Sequence, residues 1–326
     1  MPISTADFAA LTDDLQSIFN EVANRKVSEN VGFSIFNVFD SERRTYDHLV
    51  LHGVAGVKKV TPGQDLPKVN TEQGDDITWT QEYFGAIVGV TKAMRKFDLH
   101  NQIESIVRSI TDDSFNKVDQ SLADVLLKGW STTYTDVYGS TVSSVGPDGL
   151  ALFSASHTNP ITSRTYSNII SDGTNTNAAL SRQAIVHMRA QGFKHKDPNN
   201  IVRPINYDLL IVGPELEDLA NRIVMSEYLP GSANNDRNPL YGKVKVKMWP
   251  RLAAAADGTD TDAYWFLADS AGIKSESLNC IFAERPSLDA PDQVYSNKDW
   301  EYSIDFFYAI GRGYPAYIAG SKGDNS

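Results

Sequence analysis

The sequence predicts an α+β protein built around one long helix and one long strand. Residues 90–128 contain neither Gly nor Pro, and apolar residues recur there at three- and four-residue steps. In residues 300–312 large apolar residues occupy every second position, which is typical of a strand. About 30 helical residues at 1.5 Å each span roughly 45 Å, and the strand spans roughly 40 Å at about 3.3 Å per residue. Both lengths are well above average, so we expect the shape of the molecule to matter for its function.

Length and composition limit the classes of protein to which this chain can belong. The 326 residues predict a large core divided into two domains. The polar, acidic residues 1–14 do not resemble a signal peptide, and no apolar run approaches the roughly 18 residues of a membrane span. The formal net charge of −11 argues against a general nucleic-acid-binding surface. The single cysteine, Cys280, excludes an internal disulfide and a cysteine-rich metal site, and we expect it to be packed in the core.

The N-terminal quarter is predicted to form an arm followed by a projecting loop. Residues 8–22 carry a helical apolar stripe, and residues 33–39 are predicted to be extended. Residues 52–76 are polar and interrupted by Gly and Pro, so they predict a loop or open hairpin. A strand is predicted at 77–83, and residues 84–90 are expected to continue it with both faces apolar.

The long helix itself is predicted at residues 98–128. Asp98 or Asn101 can cap its start, and Asn101 has Glu104 three residues on, as in a capping box. Gly129 follows where the helix is expected to end. Residues 111–114, Thr-Asp-Asp-Ser, are poor helix formers and are the weak point at which the helix can bend or split.

The second half of the chain predicts short strands and loops and then a second α/β unit. Residues 131–171 are rich in Ser, Thr, Gly and Asn and predict short strands with long loops. Beyond them, helices are predicted at 177–191, ended by Gly192, and at 214–225; strands are predicted at 207–212, 243–249 and, centrally, 264–268. The buried face of the second helix is expected to consist of Leu216, Leu219, Ala220 and Ile223.

Sequence motifs for chemistry are weak. No GxxxxGK[ST] or GxGxxG motif is present, and residues 311–313, Gly-Arg-Gly, are interpreted as a strand-ending turn. His48 and His52 are four residues apart, but their segment is predicted to be extended and lacks the Glu of HExxH, so no metal site is expected. Ser154 and His157 leave a hydrolase open as an alternative, although GxSxG is absent and the small polar residues around them favour a turn. We therefore predict no catalytic residue, cofactor or metal.

The order of these elements resembles that of a known family. The chain resembles the major capsid proteins of tailed phages and prophages with the Hong Kong 97-type fold, and among them the Mu-like major head subunit group. Residues 152–160, Leu-Phe-Ser-Ala-Ser-His-Thr-Asn-Pro, are similar to a turn common after the long helix in that group. The other matching segments are 77–90, 98–128, 177–191, 207–225, 264–269, 284–286 and 300–312, so the resemblance covers nearly the whole chain.

The resemblance implies a domain organisation. It consists of an N-terminal arm (1–49), an extended β-hairpin loop (50–92), a peripheral domain (93–175) with the spine helix (98–128), an axial domain (176–295) and a C-terminal strand that returns to the peripheral domain (296–326).

The resemblance also implies a structural, non-enzymatic function. Copies are expected to self-assemble as pentamers and hexamers into an icosahedral phage head that encloses DNA without sequence-specific binding. Assembly is expected in the host cytoplasm and the product in the virion, with a separate scaffolding protein and a portal as partners and no membrane. Alternatives are an encapsulin-like cargo shell, a phage tail or adaptor protein, and, in a different class, the hydrolase using Ser154 and His157.

The projecting loop supplies the candidate inter-subunit contacts, because a polar segment with little to bury can become ordered on a neighbouring subunit. These candidates are Lys58, Lys59, Lys68, Glu72, Asp75, Asp76 and Trp79. Some family members crosslink a loop Lys to an Asn of a neighbour. Lys58, Lys59 and Lys68 lie in the corresponding region, but the required Asn and carboxylate have no match, so no crosslink is expected.

Overall fold

The computed structural model describes residues 5–51, 59–63, 65, 73–97, 102–158, 165–196, 201–228, 236–255, 258–294, 296 and 299–325. The α-helices in these ranges are α1 (Thr5–Glu29), α2 (Val31–Ile35), α3 (Lys92–Phe97), α4 (Gln102–Leu127), α5 (Arg182–Phe193) and α6 (Glu217–Val224). The strands are β1 (Asn37–Asp40), β2 (Thr45–Leu51), β3 (Gln73–Thr80), β4 (Glu82–Val90), β5 (Thr133–Thr135), β6 (Thr141–Ser143), β7 (His157–Thr158), β8 (Thr165–Tyr166), β9 (Leu209–Val212), β10 (Lys245–Met248), β11 (Trp265–Ala268), β12 (Leu278–Leu288), β13 (Asp292–Gln293), β14 (Trp300–Arg312) and β15 (Ile318–Ser321).

The predicted long helix is confirmed as α4, a single helix of 26 residues. Its proposed caps, Asp98 and Asn101, lie outside the described residues. No split occurs at residues 111–114. The hydroxyls of Thr111 and Ser114 donate to the carbonyls of Val107 (2.7 Å) and Ile110 (2.9 Å), one turn back in the same helix. Because these side chains bond back to the helix, they are accommodated within it.

The predicted long strand is confirmed as β14, with the bounds expected from the sequence. It lies at the centre of a five-stranded sheet, with β12 on one side and β4 on the other; β1 joins the far edge of β12 in parallel. Ile304 and Phe306 on one face of β14 share a buried cluster with Leu122 and Leu126 of α4. The Tyr308 hydroxyl donates to Ser121 Oγ of α4 at 3.1 Å. The long helix and the long strand therefore pack on each other.

Strand β12 is an element that the sequence did not predict. It pairs with β14 but shifts register twice, between Phe282 and Glu284 and between Glu284 and Ser287. Charged residues and Pro286 interrupt its apolar pattern, so the local sequence does not read as a strand. Pairing with β14 and β1 provides hydrogen bonds that the local pattern does not reveal.

The N-terminal arm begins with α1, whose apolar stripe packs against α4. Leu15 and Phe19 lie in the same buried cluster as residues of α4, and Arg25 Nη2 is 3.2 Å from Asp112 Oδ1. The prediction of extended chain over 33–39 is wrong for its first part, because α2 continues to residue 35. Asn30 stabilises α2 as an N-cap, its Oδ1 accepting the N–H of Phe33 at 3.1 Å.

Strands β2 and β3 pair antiparallel and form the two arms of the predicted hairpin. Most of the tip between them lies outside the described residues. Strand β3 ends at residue 80 and β4 begins at 82, and the side chain of the intervening Gln81 donates to the carbonyls of Ser41 (2.8 Å) and Arg43 (3.0 Å). Residues 84–90 belong to β4, as the apolar pattern predicts, but only one of their two faces is covered. Tyr83 and Ile87 are 62% and 69% exposed, and they lie on the face opposite Phe84.

The second sheet has the order β10–β9–β11–β15, and β11 is a central, fully buried strand, as predicted. Helix α5 starts at residue 182 rather than 177 because Ser181 caps it, its Oγ accepting the N–H of Ala184 at 3.2 Å. The helix runs through Gly192 to residue 193 instead of ending there. A Cβ at Gly192 would lie 2.7 Å from the Ile205 carbonyl oxygen, so the glycine permits close packing.

The buried face of α6 matches the predicted one except at Leu219. Ala220 is completely buried, and Leu216 and Ile223 pack against the buried cluster of the second sheet. Leu219 is 39% exposed, whereas Val224, which the prediction left out, is completely buried. Residues 214–216 form a separate short 3₁₀ helix before α6 begins at residue 217.

Strand pairing crosses the predicted domain boundaries at several places. Strand β12, within 176–295, pairs with β14, within 296–326. Strand β15, also within 296–326, pairs with β11 of the second sheet. The last segment of the chain thus contributes one strand to each sheet, and the division into named domains stays a prediction.

Candidate functional site

The predicted contact candidates occupy the hairpin and its base. Lys58, Lys68 and Glu72 lie outside the described residues, and Asp75 is described only as part of the backbone of β3. Lys59 and Asp76 are exposed. Their contact with another subunit stays a prediction.

Trp79 differs from the other candidates because it is only 7% exposed. Its ring stacks on Tyr46, with centroids 6.0 Å apart, and on His48, with centroids 5.0 Å apart. A Cβ at Gly311 would lie 2.4 Å from the indole, so the absence of a side chain there makes room for the ring. Burial lowers the pKa of His48. His52, four residues further along the chain, lies outside the described residues.

A second surface, which the sequence did not reveal, is the outer face of β4 and β14. It consists of the odd-numbered residues of both strands, on the side away from α4. Tyr83 packs on Phe307, with ring centroids 4.5 Å apart, and its hydroxyl donates to Asp305 at 3.2 Å. Ile87 lies opposite Ser303 and is 69% exposed. The signal in the sequence is the pair of small residues Gly85 and Gly89, which alternate with these side chains and leave a low, accessible surface.

Strand β4 also has an open edge. Within the described part of the chain it pairs only with β14, so its second edge has unpaired backbone groups. Such an edge is a site at which another chain can add hydrogen bonds. Helix α3, which follows at once, carries the exposed Phe97.

The geometry around His157 does not form a nucleophile–base pair with Ser154. His157 is 1% exposed, and its Nδ1 lies 2.5 Å from Asp148 Oδ2. Its Nε2 lies 3.2 Å from the Leu152 carbonyl oxygen and 3.1 Å from Asn168 Oδ1, so both ring nitrogens have hydrogen-bond partners other than Ser154. The Ser154 hydroxyl instead accepts the N–H of Ser156 at 3.2 Å.

Asn168 is the centre of this buried network. Its Nδ2 donates to the carbonyls of Leu152 (2.7 Å), Pro315 (3.2 Å) and Ile318 (3.2 Å). The segment that follows the long helix is thereby attached to the C-terminal segment. The network satisfies buried polar groups, which is a structural role.

Cys280 is completely buried, as predicted, in the same cluster as Leu122 and Leu126 of α4. Burial raises the pKa of its thiol. A thiol in this environment is a poor nucleophile.

Among the described helices, none combines the length and the apolar character that crossing a bilayer requires.

A cavity of about 420 Å³ lies at the base of the hairpin, lined by residues of β3, β4, the β5–β6 hairpin and β14. Arg312, at the end of β14, is 5% exposed and lines this cavity together with Trp79. The sequence interpretation of residues 311–313 as a turn did not anticipate a buried guanidinium. Burial raises the pKa of the neighbouring Tyr134, while the charge of Arg312 acts in the opposite direction.

Comparison with known proteins identifies the fold. A family model described as phage capsid protein matches residues 75–319. The structure is similar to the capsid of Myoviridae phage XM1, with a TM-score of 0.53, 9% identity, and coverage of 89% of this chain and 91% of that one. It is also similar to the mature capsid of bacteriophage PhiM1, with a TM-score of 0.56, 13% identity, and coverage of 90% and 86% respectively.

The procapsid of bacteriophage JBD30 is a third similar structure, with a TM-score of 0.50, 14% identity, and coverage of 98% of this chain and 76% of that one. No curated protein sequence matches the chain. The Hong Kong 97-type capsid fold implied by the sequence resemblance is confirmed. Membership of the Mu-like group stays a prediction.

Proposed function

This chain belongs to the phage capsid protein family, and we propose that its exposed hairpin and the outer face of β4 and β14 are the surfaces through which its copies close a shell. The function is that of a structural major capsid protein of the phage head shell. The observation that carries this conclusion is the family match, which spans residues 75–319 and so includes the long helix and most strands of the two larger sheets.

The outer face supports assembly because of its composition. A soluble single molecule gains nothing from exposing Tyr83 and Ile87 side by side on a flat sheet, whereas a neighbouring subunit that covers them gains about 25 cal/mol for each Å² of apolar surface removed from water. The open edge of β4 adds directional hydrogen bonds to this apolar contact. The outer face and the open edge of β4 can therefore contribute binding affinity and also fix the alignment of neighbouring subunits.

The proposed partners follow from the shell. Copies associate as pentamers and hexamers, which closed symmetry repeats over the whole head. A separate scaffolding protein and a portal act during assembly in the host cytoplasm, and the finished shell in the virion encloses DNA. The net charge of −11 suits a wall that encloses DNA without binding it by sequence.

The chain acts without catalysis in this proposal. The hydrolase alternative requires Ser154 to donate to His157, and the other hydrogen-bond partners of both His157 ring nitrogens oppose that arrangement. An encapsulin-like cargo shell has the same architecture, and the genes adjacent to this one distinguish the two: terminase and portal genes for a phage head, a cargo enzyme for an encapsulin.

The test replaces the most exposed apolar residue of the outer face. Ile87→Asp places a charge on the covered surface of the assembled state but leaves the isolated subunit within about 0.5 kcal/mol of its original stability. We expect wild-type protein to form closed shells and the variant to stay as small oligomers, as seen by negative-stain electron microscopy and sedimentation velocity. Ile87→Val is the matched control and keeps assembly.

Two results would contradict the proposal. Wild-type protein that remains a compact single molecule at high concentration opposes the shell function. Normal shells from Ile87→Asp oppose the assignment of the outer face as a contact.

A further inference from the structure

We propose that helix α3 of one copy docks on the acidic end of the outer face of the next copy, so that copies associate head to tail. This inference rests on the proposed shell function, because that function supplies the second copy. It names the segment of the neighbour that covers the outer face, which neither the resemblance nor the comparisons assign.

The receiving surface is the end of the outer face at which β4 begins. We call it the acidic patch, and it consists of Tyr83, Glu284, Asp289, Asp305 and Phe307. The Tyr83 hydroxyl donates to Asp305, and Glu284 of β12 lies directly opposite Phe307. Asp289 Oδ2 accepts the hydroxyl of Ser303, another outer-face residue, at 2.9 Å. Because residues directly opposite in neighbouring strands point to the same side of a sheet, three carboxylates surround two packed rings.

The carboxylates of the acidic patch have no counter-charge within the described ranges. No Lys, Arg or His nitrogen there lies within 4.0 Å of them. Arg285, next to Glu284, is paired with Asp40 at 2.9 Å instead. The hydrogen bond to Asp305 and the charges of Asp305, Asp289 and Glu284 raise the pKa of the Tyr83 hydroxyl. The acidic patch therefore favours a partner that brings positive charge together with an apolar side chain.

Helix α3 has this chemistry. Its sequence, Lys-Ala-Met-Arg-Lys-Phe, contains three cations and no carboxylate. Met94 packs against the buried cluster beneath the five-stranded sheet, whereas Lys92 and Ala93 are exposed and Phe97 is 66% exposed. Ala93 and Phe97 are four residues apart and therefore share one side of the helix.

Hydrogen bonds fix the start of α3 on the subunit. Thr91 Oγ1 accepts the N–H of Met94 at 3.2 Å, and Asp299 Oδ1 accepts the N–H of Lys92 at 2.9 Å. The helix is therefore presented in a defined position, which lowers the entropy cost of docking.

The acidic patch and α3 lie at opposite ends of the same strand. Tyr83 and Val90 are seven residues apart, about 23 Å at 3.3 Å per residue, and α3 follows Val90. The acidic patch is therefore available to α3 of another copy rather than to α3 of its own chain.

This placement determines how copies associate. An interface between two different surfaces is heterologous and produces a ring when the rotation closes, as the proposed pentamers and hexamers require. Two acidic patches, or two copies of α3, carry like charges and disfavour each other, so the charges also select against a symmetric face-to-face pair.

The deciding experiment is a cysteine crosslink in assembled shells. Ala93→Cys and Glu284→Cys are combined in one chain, which leaves Tyr83 and Phe97 in place, and the native Cys280 is completely buried. Treatment with a short bis-maleimide should give a ladder of covalent oligomers on a denaturing gel, ending in linked pentamers and hexamers. The ladder arises because each copy offers one α3 and one acidic patch. Each single variant should give no linked product.

The outcomes separate this inference from the shell function. Shells of the double variant that give no ladder would overturn the docking of α3 and leave the shell function standing. Linked dimers from either single variant would mean that like surfaces meet, which also overturns it. If wild-type protein makes no shells, both fail.

Charge exchange gives a second, quantitative readout that needs no cysteine. Glu284→Lys places a cation where α3 is expected, and the concentration of free subunit in equilibrium with shells should rise about fivefold, equivalent to about 1 kcal/mol per contact. Adding Lys92→Glu should return that concentration to within about twofold of the wild-type value. Arg182→Glu on α5 is the matched control, because it restores the same net charge elsewhere and should not rescue assembly. Equal rescue by the two second changes would mean that only net charge matters and would overturn the pairing.

Discussion

The contact between Gly32 and Leu122 tests the packing of the arm on the long helix. Leu122 is completely buried near the C-terminal end of α4, and Gly32 lies in α2. A Cβ added at Gly32 would lie 2.7 Å from Leu122 Cδ1 and 3.0 Å from Trp249 Cζ2. The two residues are therefore expected to respond jointly to substitution.

The magnitudes follow from this geometry. Leu122→Ala removes three carbons, worth about 2.4 kcal/mol at ~0.8 kcal/mol each, and the cavity raises the total loss to about 3–5 kcal/mol. Gly32→Ala costs about 1–3 kcal/mol by overpacking, partly offset by roughly 0.5–1 kcal/mol from helix propensity. In the double variant the new methyl occupies space that Leu122 has vacated. We expect the double variant to lose about 1–2 kcal/mol less than the sum of the single variants.

The measurement is urea unfolding of the unassembled subunit, followed by far-UV circular dichroism. The control cycle combines Leu122→Ala with Gly89→Ala, since a Cβ at Gly89 meets nothing within 4 Å. That pair should be additive. If the Gly32 pair is also additive to within about 0.5 kcal/mol, the close approach of α2 to α4 does not limit stability and the reasoning is refuted.

Two further predictions concern buried polar groups. Asp119 accepts hydrogen bonds from Trp249 Nε1 (3.2 Å) and Arg251 Nε (3.3 Å), so Asp119→Ala should lower the free energy of unfolding by about 2–3 kcal/mol. Asp119→Asn keeps an acceptor oxygen and should lose less stability. Equal losses of the two variants in urea unfolding would contradict this role of Asp119. Burial raises the pKa of Tyr138 from 10.0 to about 12. Below pH 10 the stability is unaffected, and as pH rises from about 10 to 12 the unfolded state loses a proton that the folded state retains, which costs up to about 2.7 kcal/mol. Calorimetry should show a shallower alkaline decline for Tyr138→Phe; an unchanged slope would count against burial of this hydroxyl.

Local patterns were sufficient where an element depends on its own residues. The alternation in residues 300–312 gave the bounds of β14, and the periodicity of residues 102–127 gave the body of α4. The continuous apolar run over residues 264–268 indicated a central strand, which is β11. Each of these segments carries enough apolar residues, in a helical, an alternating or a continuous pattern, to predict its own conformation.

Local sequence patterns did not predict the structure where contacts with distant segments determine it. Strand β12 contains Pro286 and adjacent charged residues, and its conformation depends on β14 and β1. The start of α5 was placed five residues too early because the positive φ of 46° at Asn177 and the cap at Ser181 are features of the folded backbone. Leu219 is predicted to be buried but is 39% exposed, because burial depends on which face the neighbouring elements cover.

The chain by itself determined the class of the protein, its long helix and long strand, and the resemblance that the family match confirmed. Only the tertiary structure decided that the odd-numbered face of β4 is exposed and that Arg312 is buried against Tyr134 and Ser143. The physical reason is that periodicity arises between neighbours in the chain, whereas burial and charge pairing arise between segments far apart in sequence. Residue 312 meets residues 134 and 143 only because the β5–β6 hairpin folds against the end of β14.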